Sequence, residues 1–345
     1  MIDADGTALE LGEARRARSR RATPPVIASR AGAFVADCRL YEPTLEDYGR
    51  RAATFPGLGF TNGWLTAGLS TASGQRFAVM REHEVGTTCV YYGFELTRDV
   101  WSWPLVRQMA APGVDPLYTG PIHYEPAGAT HEIRGMNPAF PRFAISLAPA
   151  TIHWIEGEWL DLTLTSLGSS LQRRVAGGPD DYAFMSALYR ATGVVDGMSV
   201  TGFGGYDRSY HDHGVTWRQS SAFRFEHLWW WWAGVHDDGR RERGWAVAGR
   251  DPGFGVGAFH RDGEDPVVAT TLDHDVTWQE RNGRRQPVGA LLRFDGRTFR
   301  YVSTGNVSVP AADTSMGWMH GDVTEEGADH PAERFCWLHF IKGGA

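Results

Sequence analysis

The sequence predicts an all-β protein built as two antiparallel β-barrels in tandem. Three observations predict it. Glycine (42 residues) and aromatics (12%) are both abundant, which suits half-buried strands joined by tight turns rather than helical bundles. Asp-Gly or Asn-Gly pairs recur at Asp196-Gly197, Asp238-Gly239, Asp262-Gly263, Asn282-Gly283 and Asp295-Gly296, and such pairs favour two-residue hairpins. A chain of 345 residues is long enough for two domains or one large β domain, and the recurring turns favour two.

The elements follow in order. Residues 1–30 run from acidic to Arg-rich and end near Pro24-Pro25, so they read as a charged flexible arm. Thr44-Leu45-Glu46-Asp47 is a helix start that ends by Phe55-Pro56-Gly57. Asn62–Thr71 and Arg76–His83 form a hairpin across Ser73-Gly74, and Cys89–Thr97 is a further strand. Five prolines between 99 and 128 predict a long irregular loop, a lid over a cavity. Strands resume at Thr130–Arg134, Phe143–Leu147, Thr151–Trp154 and Glu158–Leu164. Gly177-Gly178-Pro179-Asp180-Asp181 is the expected boundary, giving barrels over 31–177 and 182–345.

In the second half the rhythm is clearer. Met185–Val195 and Met198–Phe203 flank Asp196-Gly197. Phe223–Val235, Gly244–Gly249, Gly255–His260, Val267–Thr277, Val288–Phe294, Thr298–Val302 and Arg334–Ile341 complete an up-and-down sheet. Strict alternation along Phe223–Val235 puts Phe225, His227, Trp229 and Trp231 on one face. Arg224, Glu226, Leu228, Trp230 and Trp232 take the other. Aromatics on both faces imply cover on both sides, as between two barrels.

Composition narrows the function. A net charge of −7 lacks the basic footprint of a nucleic-acid binder. Lys342 is the only lysine, which disfavours Schiff-base chemistry. Cys38, Cys89 and Cys336 are scattered and odd in number, so free thiols in a reducing cytoplasm are expected. No apolar run is long enough to span a bilayer, and residues 1–22 lack the apolar core of a signal peptide. The reading is a soluble cytoplasmic protein.

The chemistry concentrates in Gly202–Gly214, GFGGYDRSYHDHG, directly before the run Trp229-Trp230-Trp231-Trp232. Two aspartates, two histidines and two tyrosines beside a tryptophan wall suggest a site for an apolar substrate with one reacting centre. The glycines read as a tight turn past the hairpin, and they precede a strand rather than a helix, so a dinucleotide loop is rejected. His211 and His213 have the spacing that puts two imidazoles on one face of a strand. With His227 and either Asp207 or Glu226 they would suit Zn²⁺ or Fe²⁺, but the pair is a weak signal among thirteen histidines and no metal is expected.

The run Tyr189–Gly214, YRATGVVDGMSVTGFGGYDRSYHDHG, followed by an aromatic strand, resembles the hydroxyneurosporene synthase (carotenoid 1,2-hydratase)/AttH-like group. That group is related to tocopherol cyclase and lipocalin-like Diels–Alderases. The resemblance covers roughly residues 185–235. It departs at Asp207-Arg208, where the group has Asp-His and then Trp-Gly; here His-Asp-His-Gly follows at 211–214. It implies two tandem lipocalin-like barrels and cofactor-free chemistry on an isoprenoid- or polyketide-like substrate. Water addition to an alkene needs a proton for carbon, a stabilised cation and a held water. Asp207 or Asp212 would supply the proton, and His211 or His213 would orient the acid or hold the water. Tyr206, Tyr210, Trp217, His227, Trp229, Trp231, Glu82 and His83 are the expected substrate-binding residues. The leading expectation is a hydratase or dehydratase. A cyclase that folds its substrate and a carrier of hydrophobic ligands are the alternatives.

Overall fold

The computed structural model describes residues 26–29, 32–50, 55–84, 89–95, 100–101, 122–136, 143–178, 180–212, 214–215, 219–221, 226–250, 254–281, 284–307 and 316–341. The protein is all-β, as expected, and consists of two curled antiparallel half-barrel sheets. The helix start at Thr44 becomes one 3-10 turn, Leu45–Tyr48, whose capping box pairs Thr44 with Asp47. Most of the arm expected over 1–30, most of the loop expected over 99–128 and the Asn282-Gly283 turn lie outside the described residues. Within the arm, Val26–Ser29 is a strand paired with Gly32–Tyr41.

The first sheet runs from Val26–Ser29 to Met198–His211. At its middle, Met198–His211 pairs with Gly59–Ser70 on one side and Tyr182–Val195 on the other. The second sheet runs from Glu226–Val235 to Glu333–Ile341. Its central strand is Glu226–Val235, between Arg241–Gly249 and Glu333–Ile341. The division expected at 177 and 182 falls within the first sheet, because Tyr182–Val195 pairs with Ser170–Ala176 and Leu160–Ser166. The change of sheet comes between His211 and Glu226.

The turn chemistry expected at Asp196-Gly197 is present. Asp196 (φ 49°) and Gly197 (φ 73°) are both left-handed, as a type I′ turn requires. Two expectations change. Met198–Phe203 continues as strand to His211, so residues 204–211 are the interior of a central strand rather than a turn. Gly202, Gly204 and Gly205 made the end of the strand and that stretch read as a bend. Crowding accounts for one of them: a Cβ on Gly205 would sit 2.8 Å from the Trp231 ring. Val267–Thr277 is two strands, Val267–Ala269 and Asp273–Arg281, at opposite edges of the second sheet.

Three apolar layers result. One fills the first sheet's concave side and includes Leu65, Val79, Ile145, Trp154 and Tyr206. Another fills the second sheet and includes Leu228, Trp230, Trp232, Phe259 and Phe299. The third lies between the sheets, where Phe34, Met80, Phe184 and Phe203 meet Trp229, Trp231, Trp245, Phe335 and Trp337. The tryptophan run therefore supplies odd residues to the seam and even residues to the second interior, so it is covered on both faces.

Candidate functional site

Alternation along Met198–His211 sorts the polar cluster into two environments. Even positions face the interior of the first sheet. There the Arg208 guanidinium is fully buried. It donates to the hydroxyls of Tyr210 (2.8 Å), Tyr124 (3.0 Å) and Tyr206 (3.0 Å), and to the carbonyls of Tyr48 (2.9 Å) and Gly49 (2.6 Å). Tyr210 donates to the Asp47 carbonyl at 2.8 Å, and Tyr206 shares a 3.0 Å hydrogen bond with His83 Nε2. Burial and the nearby Arg208 and Arg81 charges keep His83 neutral. This network plugs the first interior and fastens the 45–49 turn. Tyr206, Tyr210 and His83, expected at the substrate, belong to the plug and not to the cavity described next.

Odd positions face the seam. Asp207 stands there, 7% exposed, and accepts a 3.1 Å hydrogen bond from Trp229 Nε1 on Oδ2. Its Oδ1 is buried, and the Ser186 hydroxyl also interacts with the carboxyl group. Asp207 belongs to the wall of a cavity between the sheets. The lining is Trp64, Met80, Glu82, Phe184 and Asp207 from the first sheet, and Glu226, Trp229, Trp318, Trp337 and His339 from the second. The volume is about 40 Å³, room for a few water-sized groups.

Glu226 enters this wall through a backbone irregularity. The pairing shifts register between Glu226 and Leu228, a β-bulge at His227. The bulge carries Glu226 to the face of Trp229 and Trp231, opposite to what strict alternation places it on. His227 then stacks on Trp278 (5.5 Å, 20°), away from the cavity lining. Glu226 forms a buried ion pair with Arg173 and accepts from Tyr182 at 3.3 Å. Arg173 lies within 6 Å of the rings of Tyr182, Phe184, Trp229 and Phe254.

The two carboxyl groups are in different states. Burial pushes Asp207 up from 3.8 to about 7, and nearby Glu226 adds to the rise. The Ser186 hydroxyl, the Trp229 N–H and Arg173 pull it back only in part. Burial also raises Glu226, but the paired Arg173 opposes it. Asp207 has no cation in hydrogen-bond reach and Glu226 has one. At neutral pH Asp207 is thus the group on the point of titrating, while the paired Arg173 favours the charged form of Glu226.

The remaining expected site residues are dispersed. His211 is buried against Tyr182 (5.8 Å, 28°) with both ring nitrogens unpartnered, and burial lowers it to about 4. Asp212 accepts the Asp181 backbone N–H at 2.9 Å and so ties two strand ends. Trp231 packs against Phe335 and Gly205 in the seam and is not part of the lining. His213 and Trp217 lie outside the described residues. Among the described residues no three of His, Cys, Asp and Glu converge as a metal-binding set. Of the expected residues the cavity unites Asp207, Trp229 and Glu82. Sequence reasoning missed Trp64, Met80, Phe184, Trp318, Trp337 and His339, which reach it from other strands. It named Glu226 only as a metal ligand.

No family model matches the sequence, and no curated protein matches it. Solved structures do. A protein described as AttH from Nitrosomonas europaea is 13% identical over 86% of this chain and 95% of its own, with a TM-score of 0.50. Kievitone hydratase from Nectria haematococca is 11% identical over 82% and 89%, with a TM-score of 0.40. CghA is 12% identical over 88% and 93%, with a TM-score of 0.47. The likeness to the AttH structure is one of fold: a tandem, lipocalin-like double barrel shared along nearly the whole length. No helix among the described residues is long and apolar enough to cross a membrane.

Proposed function

We propose that the protein is an acid–base lyase or isomerase that adds water to, or removes it from, a hydrophobic isoprenoid- or polyketide-like substrate without a cofactor. One observation carries the reading. A carboxyl group without an ion-pair partner, held near neutrality by burial, lies in a cavity walled by four tryptophans.

In the hydration direction, protonated Asp207 gives its proton to one alkene carbon. The π pair forms the new C–H bond and leaves a cation on the other carbon. Indole faces attract such a cation, and the neighbouring Glu226 carboxylate adds to the field. The Trp229 N–H already bonds Asp207 Oδ2 and stabilises the carboxylate left behind. Water attacks the cation, and its surplus proton returns to Asp207. Dehydration is the reverse, with Asp207 protonating the departing hydroxyl. The cavity of about 40 Å³ takes only the reacting end of such a molecule without side-chain movement. Pure storage of a large ligand fits it less well.

The test is turnover in isotopically labelled water, using a panel of isoprenoid and polyketide alkenes and their alcohols read by mass spectrometry. Asp207→Asn is expected to lose at least about 100-fold in rate, while binding, read by tryptophan quenching, persists. The wild-type rate should fall as pH rises through about 7, where Asp207 loses its proton. Full turnover in Asp207→Asn would end the proposal. Binding of panel members with no turnover of any would favour a carrier.

A further inference from the structure

The charge balance of the cavity goes further than proton donation. Three of its lining side chains are carboxyl groups, and none of the lining residues is Lys or Arg. A cation behind the wall, Arg173, is engaged by Glu226. Asp207 has no such partner, and its hydrogen-bond donors, the Trp229 N–H and the Ser186 hydroxyl, are neutral. Trp64, Trp229, Trp318 and Trp337 surround these acids. Indoles around a carboxylate are the chemistry that recognises quaternary ammonium groups. A compact quaternary ammonium group has no N–H and needs no directed acceptor. It gains from diffuse negative charge and aromatic faces, which this wall offers.

We infer that the cavity between the sheets is a binding site for a quaternary ammonium group, with Asp207 and Glu226 as counter-charges and the four indoles as its cage. This deepens the proposed function, since it rests on the same cavity and assigns it a ligand class that carries permanently the charge the reaction develops in passing. It does not require turnover.

The titratable groups facing the cavity come from four strands. Glu82 lies on Arg76–Glu84, Asp207 on Met198–His211, Glu226 on Glu226–Val235 and His339 on Glu333–Ile341. Arg173 and Tyr182 stand behind Glu226. His339 is stacked on Trp318 (5.8 Å, 17°). Proton loss from Asp207 adds one negative charge to the wall, so cation affinity should rise with pH through the range where that carboxyl titrates.

Calorimetry and tryptophan quenching with choline and its uncharged isostere dimethylbutanol test this on the full chain. Choline is expected to bind at least about tenfold more tightly than dimethylbutanol at about pH 8, with a smaller preference at about pH 6. Asp207→Asn should flatten that pH dependence. Near-UV circular dichroism would establish that the variant is folded, and the wild-type comparison stands without it. Equal affinity for the two probes, a preference for dimethylbutanol, or no binding of either overturns the inference. So does a folded Asp207→Asn whose preference still climbs with pH. The proposed reaction fails separately: choline binding with full turnover in Asp207→Asn removes the proton donor and leaves the cation site standing.

Discussion

Replacing Asp207 by Asn should make the protein more stable above neutrality while abolishing its chemistry. Asn has nearly the same shape and never carries a charge. In the folded state burial holds the Asp207 carboxyl at about 7, against 3.8 as its ordinary value. A folded pKa above the unfolded one means that the native state keeps a proton the unfolded chain has already released. That stabilising difference is fully present below about pH 4 and is lost as pH rises toward 7. Above 7 the native state carries a buried, unpaired charge. At about 1.4 kcal/mol per pH unit the penalty is roughly 1.5 kcal/mol at pH 5 and roughly 4 kcal/mol above pH 7.5. Asp207→Asn escapes it. Urea unfolding of both proteins between pH 5 and pH 8.5 measures the difference. The variant's advantage should grow by roughly 2 to 3 kcal/mol across that range with an unchanged denaturant slope. An advantage that does not change with pH, or a variant less stable throughout, would mean Asp207 is already ionised in the folded protein. The proton-donor argument would go with it.

Other outcomes follow from the same geometry. Glu226→Gln leaves Arg173 buried without its anion and should cost about 3–5 kcal/mol, read by urea unfolding. Much of that should return when Arg173→Met is added, because the pair is then removed together. Gly205→Val places a side chain where the Trp231 ring lies 2.8 Å from the glycine's virtual Cβ. It should cost at least about 1–3 kcal/mol by prying the sheets apart, with a loss of near-UV tryptophan signal. Asp212→Asn, which keeps an acceptor for the Asp181 N–H, should leave turnover and choline binding unchanged.

How legible the site was depended on the distance between its parts. Asp207 and Trp229 stood out because the strand that carries the acid and the strand that carries the indoles are close in the chain. Glu226 was visible but sorted to the wrong face. Strict alternation has no means of registering a bulge, and the shift at His227 is set by pairing with Arg241–Gly249. Trp64, Trp318, Trp337 and His339 reach the cavity from strands far apart in sequence, and no local pattern marks them. Tyr206 and Tyr210 drew notice for their hydroxyls, but period-two alternation assigns them to the opposite face from Asp207 once residues 204–211 are known to be strand. The glycines hid that strand. They read as a bend, whereas Gly205 is demanded by Trp231 from the other sheet.

The sequence by itself determined the all-β class, the hairpin at Asp196-Gly197 and the doubly covered tryptophan run. These follow from local preferences: left-handed turn residues, side chains alternating across a strand, aromatics on both faces. Tertiary structure alone decided which sheet the Tyr182–His211 hairpin joins, since strand pairing is a long-range contest that local propensity does not rank. It alone decided which of the clustered acids is held near its titration point at neutral pH. Asp207 and Asp212 are the same residue type five positions apart. One is buried in an aromatic seam without a cation and so holds its proton near neutrality, while the other is spent on a backbone N–H at a strand end. That difference is desolvation, which belongs to the packed molecule and not to the chain.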